Sequence, residues 1–226
     1  MNKLLGILVS ATLALTAHAA PFQNLSFDEG ATIRVGADGY GPIADLLPGW
    51  SLSIPAGPLS EIGYNSAPLG DGWVSLIPKD NFGGFPPYPV FGLYSLAVDP
   101  VVRFSSLSPM TLSQRADVPA DAVTINFINY GSPFELRLNG TPISLTYQDA
   151  DPSLFPGRGL RYASGDVSAF AGQNVELTFS AFYAEGIPSI HGLDSISFVV
   201  REPSTWLLLG LGGLVLLAPR SGRAAG

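Results

Sequence analysis

The chain of 226 residues contains no cysteine. Thiolate catalysis, disulfides, cysteine-held zinc and iron–sulfur clusters are therefore excluded. Histidine is almost as scarce, with only His18 and His191. Imidazole-rich metal sites need more, and a Ser-His-Asp arrangement would need that one ring correctly placed. Charge is thin as well: charged residues make up 13%, about half of the usual ~25%. Positive charge is the scarcer sign, with 11 Lys and Arg against 18 Asp and Glu and a formal net charge of −7. That balance argues against a nucleic-acid partner, which requires basic stripes to neutralise phosphates. Long helical periodicity is missing from Pro21 to Val200. What is present is 46% hydrophobic residues, enough for a core, and 26 Gly with 20 Pro spread along the chain. So dispersed, they predict turns between short strands.

The two ends read as targeting segments. Lys3 supplies a positive start, Leu4 to Leu15 an apolar run, and Ala17-His18-Ala19 a small-x-small cleavage pattern. This predicts a secretory signal peptide over 1–19, cut after Ala19, and export through the Sec pathway; the alternative is an uncleaved N-terminal anchor. At the other end, Trp206 to Ala218 is apolar, followed by Arg220 and Arg223. A helix over 204–218 would span about 22 Å at ~1.5 Å per residue, less than the ~30 Å of a bilayer core. Pro203 suits its first turn, Trp206 a membrane interface, and the trailing arginines a cytoplasmic C-terminus.

The motif Glu202-Pro203-Ser204-Thr205, the short apolar span and the terminal arginines together resemble the bacterial PEP-CTERM sorting signal, with Arg201 in the place of the family's first proline. The resemblance covers about the last 26 residues. It implies an exosortase-type transpeptidase as processing partner. The protein would then be anchored in the inner membrane by its C-terminal helix before processing, and afterwards sit at the cell surface or in the extracellular matrix. A plain C-terminal anchor that is never cut is the alternative.

Between the ends, period-2 alternation recurs. Val123 to Phe127, Phe134 to Leu138, Ile143 to Tyr147, Val175 to Phe179 and Ile196 to Val200 each place apolar residues at alternate positions. Trp50 to Ile54, Trp73 to Ile77, Phe91 to Val98 and Met110 to Ala116 add further strands. Asn139-Gly140 is a strong hairpin signal, because both turn positions need positive φ. Pro78 to Val90 is too rich in Pro and Gly for regular structure and is expected to be a surface loop. Clean alternation implies sheets with one buried and one wet face, and two such sheets make a sandwich. The expected class is all-β: a two-sheet antiparallel sandwich over 20–200, flanked by the signal-peptide helix at 1–19 and the sorting tail at 201–226.

Four further segments, in order, resemble the galactose-binding-like jelly rolls of bacterial carbohydrate-binding modules: Asn24 to Asp28, Leu47-Pro48-Gly49-Trp50, Asp166 to Gln173, and His191 to Phe198. The resemblance implies a jelly-roll topology. It also implies a structural Ca2+ held between the first and last strands by an acid from each, here Asp28 and Asp194. Calcium takes six to eight oxygens, which carboxylates and carbonyls supply.

Aromatic rings can stack on sugar faces, so Tyr88, Trp50 and Trp73 are candidate glycan contacts, Tyr88 foremost because its loop is free to carry recognition. Asp99, Asp121, Asp149, Asp151 and Glu185 could in principle serve a glycosidase, but nothing in their spacing pairs them, and no Gly-x-Ser-x-Gly elbow accompanies His191. The expected function is that of an exported, membrane-targeted surface or matrix protein without enzymatic activity, in contact with exopolysaccharide. The competing class is a carbohydrate-binding module recognising an extracellular glycan.

Overall fold

A computed structural model describes residues 20–29, 39–65, 73–79, 91–100, 109–151, 159–182 and 190–201. Fourteen strands are seen among them: β1 (Gly39–Pro42), β2 (Ser51–Ile54), β3 (Gly57–Pro58), β4 (Glu61–Tyr64), β5 (Trp73–Pro78), β6 (Tyr94–Asp99), β7 (Met110–Asp117), β8 (Ala122–Gly131), β9 (Glu135–Leu138), β10 (Thr141–Ile143), β11 (Leu145–Asp149), β12 (Arg161–Asp166), β13 (Asn174–Ala181) and β14 (His191–Val200). One short helix, α1 (Ile43–Leu46), and a 3-10 turn over Ser168–Phe170 complete the elements. The strands form an eight-stranded sheet in the order β1-β4-β5-β6-β14-β8-β12-β11 and a six-stranded sheet in the order β10-β9-β13-β7-β2-β3. The expected all-β, two-sheet architecture is what the chain adopts.

The alternating patterns explain the core. Val175, Leu177 and Phe179 of β13, Leu136 and Leu138 of β9, and Leu112 of β7 are buried from the six-stranded side. Leu76, Leu96, Ile125, Phe127 and Leu193 meet them from the eight-stranded side. Phe127 and Phe179 cross the interface edge-to-face with ring centroids 5.1 Å apart, the arrangement that ring quadrupoles favour. The β9–β10 hairpin turns at Asn139 and Gly140 with φ of 48° and 77°, as the dipeptide requires. The chain then passes from β10 to β11 across Ser144 alone, and so changes sheets within one residue.

The pairing is not wholly antiparallel, as the sequence had suggested: β4 and β5 run parallel, Gly63 beside Ser75 and Tyr64 beside Leu76. Alternation reports which face a residue takes, not the direction of its neighbour. The expected strand from Phe91 begins only at Tyr94.

The segment 21–27 ties the two sheets together. The Gln114 side chain, buried on β7, accepts from Gln23 N at 2.6 Å and donates to Gln23 O at 3.1 Å. Two residues on, Leu25 O accepts from Ile196 N of β14 at 3.0 Å. Phe27 is fully buried between the sheets.

A smaller apolar cluster lies on the outer face of the eight-stranded sheet, with Ile77, Ala97, Ile128, Tyr130, Ala150 and Leu160. Gly192 pairs with Tyr130 in the β14–β8 register, and the absence of its Cβ lets the Tyr130 ring lie against it. Among the described residues no helix is long and apolar enough to cross a membrane. The signal segment 1–19, the sorting motif Glu202 to Thr205, the span 204–218 and nearly all of the expected 78–90 loop lie outside the described residues.

Candidate metal site and the faces around it

Asp28 and Asp194 both reach the backbone of residues 91–94, and local backbone geometry places them there. On the N-terminal side, Asn24 and Phe27 take left-handed φ values of 48° and 62°. Phe27 N donates to Asn24 O at 3.2 Å, and Glu29 N donates to Asn24 Oδ1 at 3.0 Å. This tight turn delivers Asp28 to the start of β6, where its Oδ1 accepts from Leu93 N at 2.8 Å and Tyr94 N at 3.0 Å.

On the C-terminal side a bulge does the work. Asp194 stands opposite Ile128 and Ser197 opposite Asn126, so β14 carries one extra residue between them. Ser195, at φ 50°, absorbs it. Without that residue Asp194 would share the phase of Ile196 and Phe198 and point into the core, because a one-residue slip reverses the faces of a strand. Instead its Oδ2 accepts from Phe91 N at 2.8 Å, and Ser195 Oγ donates to Oδ1 at 3.3 Å. Gly92 sits between the two carboxylates at φ 104°, and a Cβ there would come within 2.7 Å of Asp28 Oδ2. The backbone N–H groups of Phe91, Leu93 and Tyr94 thus converge on the two carboxylates just where β6 begins.

The electrostatics are one-sided. Asp194 is fully buried, and burial pushes its carboxyl up to about 7. The Phe91 and Ser195 hydrogen bonds oppose this, and the neighbouring Asp28 charge adds to it. Neither aspartate has an Arg or Lys partner among the described residues: the ion pairs Arg115–Glu176 and Arg137–Glu135 both belong to the six-stranded sheet. A divalent cation would supply the missing charge, and each carboxylate keeps lone pairs for it beyond the N–H bonds it accepts. No third Asp, Glu or His joins the pair among the described residues. A Ca2+ there would complete its shell with carbonyls and water, as this ion commonly does.

The aromatic candidates fare differently. Trp50 is buried at 4% exposure, packed against Phe27 and Phe179 at 5.8 and 6.4 Å. Its indole N–H donates to Asn24 O at 3.1 Å. As a glycan contact it is corrected: its ring is a core element that presents no face to a ligand, since a large ring at a strand start gains most by burial. Trp73 opens β5, but its side chain and Tyr88 lie outside the described residues.

His191 is buried against the Phe134 ring at 5.1 Å, with Nε2 3.1 Å from Phe182 O. Burial pushes its pKa down, so it is a neutral packing residue.

One feature escaped the sequence reading. On the outer face of the eight-stranded sheet, Ser197 stands opposite Asn126, Asn126 opposite Ser164, and Ser164 opposite Thr146. Tyr162 and Gln148 form part of the next row. They line a cleft of about 580 Å³. Its middle strand, β12, was not foreseen, because its inward residues Ala163 and Gly165 are small. Gly165 is closely approached by Ile143 and Leu145, so no large apolar alternation marks the strand. The available signal was the polar complement, Tyr162, Ser164 and Asp166 at alternate places. Compared with protein-family models, curated proteins and solved structures, the chain matches none.

Proposed function

We propose that this is an exported, non-enzymatic protein of the cell envelope or extracellular matrix, with a jelly-roll-type sandwich that Ca2+ cross-links after export. The Asp28–Asp194 pair carries this reading. It joins the N-terminal segment to the last strand through two carboxylates with no cationic partner among the described residues. A cysteine-free exported domain has no disulfide to perform that joining. Calcium modules outside the cell bind at about 10⁻⁴–10⁻³ M, so such a site would fill on export. The signal segment 1–19 directs secretion, and the span 204–218 holds the protein in the inner membrane until an exosortase-type enzyme acts at Glu202 to Thr205.

Two measurements test the reading. In calorimetry of the chelator-treated full-length protein, Ca2+ at ten times its Kd should raise Tm by about 3–6 °C, and Asp28→Asn should abolish the rise. No rise in the wild type removes the calcium cross-link. Mass spectrometry of the exported protein should find Ala20 at the N-terminus and, where the transpeptidase is present, loss of the residues after the motif. Met1 retained on the mature protein would defeat the export reading, and Gly226 retained with and without the transpeptidase would defeat the processing step.

A further inference from the structure

We infer that the edge of β11 is a docking strand for a second copy of this chain, the two β11 strands pairing antiparallel about a two-fold axis through Tyr147. The inference goes beyond the proposed function and depends on neither the tail nor the metal.

The sheets end in β1 and β11 on the larger and in β10 and β3 on the smaller. In an antiparallel ladder, successive residues turn their N–H and C=O alternately toward the neighbouring strand and away from it. On β10, Pro142 stands opposite Arg137. It has no N–H, and a strand tolerates proline where its nitrogen faces out of the ladder. On β3, Leu59 N donates to Leu52 O at 2.9 Å, in step with the pairing of Pro58 and Ser53, so Pro58 faces outward. On β1, Ile43 N donates to Ser60 O at 2.9 Å, in step with the pairing of Pro42 and Glu61, so Pro42 faces outward. Each of these edges sets a proline where an incoming strand would need a donor, a device by which natural sheets block edge-to-edge pairing.

The β11 edge carries no such block. Ala150 N donates to Leu160 O at 3.0 Å, in step with the pairing of Asp149 and Arg161. By alternation, Gln148 and Thr146 bond to β12, and Leu145, Tyr147 and Asp149 turn their main-chain groups out of the sheet. Among the described residues no backbone group meets them. The strand has no proline, and its one charged residue, Asp149, stands at its end.

Register and closure name the occupant. Centred on Tyr147, a two-fold pairing sets Leu145 against Asp149 of the other copy and Tyr147 against its own counterpart. Each such outward-facing pair exchanges two hydrogen bonds, about six in all. Sliding the register either way loses one of these pairs. The same register keeps the two Asp149 carboxylates from facing each other, where like charges are destabilising. It also sets the exposed Thr146 against the exposed Gln148. Because proline blocks the other edges, the pairing closes as a dimer and does not grow into a filament.

Sedimentation velocity of the detergent-solubilised full-length protein, over a hundredfold range of concentration, should show a monomer–dimer equilibrium. Asp149→Pro removes an outward N–H and leaves the β12 ladder intact, so it should give monomer with Tm unchanged. Asp149→Ala keeps that N–H and should still dimerise. The chain has no cysteine, so disulfide formation can read the register. Residues 146 and 148 of the two copies would face each other with Cα atoms about 4.5 Å apart, within the ~4.4–6.8 Å of a disulfide. A mixture of the Thr146→Cys and Gln148→Cys proteins should cross-link under mild oxidation, and either alone should not. Monomer at every concentration, a dimer that persists in Asp149→Pro, or cross-linking by the single variants as readily as by the mixture would overturn the inference. None of those outcomes bears on export or calcium.

Discussion

Asp28 and Asp194 reach from the two ends of the domain to the same stretch of backbone, Asp28 holding Leu93 and Tyr94 while Asp194 holds Phe91. The consequence is a pH dependence that can be signed. The Asp194 carboxyl, ordinarily at 3.8, sits at about 7 in the folded protein. Between those values the folded state keeps a proton that the unfolded chain has released, so stability falls as pH rises through the window and is restored on acidification. His191 works in the opposite sense. Its pKa is pushed below 6.5 by burial, so stability is lost as pH falls below that value. Subtracting an Asp194→Asn variant cancels the histidine. In chelator, urea denaturation should show the wild type gaining on Asp194→Asn as pH is lowered from 8 to 5. A flat difference would mean that Asp194 is not held protonated. With saturating Ca2+ the trend should reverse, because the metal binds the deprotonated form.

The Tyr130 ring rests on Gly192, and an alanine Cβ at that position would fall inside it. Gly192→Ala should therefore push the ring away from Ser95, whose Oγ lies 3.4 Å from the Tyr130 hydroxyl. Overpacking of this kind costs about 1–3 kcal/mol. The same glycine change in a Tyr130→Ala background should cost much less, and a double-mutant cycle by denaturant titration measures the coupling. Equal costs in both backgrounds would show that the ring is not what the glycine accommodates.

Gln114 replaces a strand partner for Gln23, accepting from its N–H and donating to its carbonyl. In Gln114→Ala both Gln23 groups lose their partner in a part-buried place, at a cost of about 1–3 kcal/mol. The loss should be local before it is global. Hydrogen exchange should quicken across 22–27 well ahead of β13, whose Val175, Leu177 and Phe179 are fully buried. Uniform acceleration of both would mean that the segment is not separately tied by this side chain.

Much of the sandwich was legible in the residues themselves. Alternation in Val175-Glu176-Leu177-Thr178-Phe179 can bury one face only as a strand, and Asn139-Gly140 can hardly adopt anything but its hairpin turn. Where a strand is short or its inward residues are small, as in β1, β3, β4 and β12, that signal vanishes, because the burial that selects the strand is supplied by neighbours distant in sequence. The parallel β4–β5 pair was hidden for a related reason: side-chain period carries no information on strand direction.

The candidate site divides along the same line. Absence of cysteine and scarcity of positive charge follow from the sequence alone, since composition bounds the available chemistry whatever the fold. That the two aspartates meet over Phe91 to Tyr94 was decided by the left-handed turn at Asn24 and Phe27 and by the extra residue at Ser195. Trp50 was drawn into the core by the space between the sheets. The row from Ser197 to Thr146 exists only because registers of β14, β8, β12 and β11 bring four separate polar residues to one line, and register is set by long-range pairing, which local sequence does not encode.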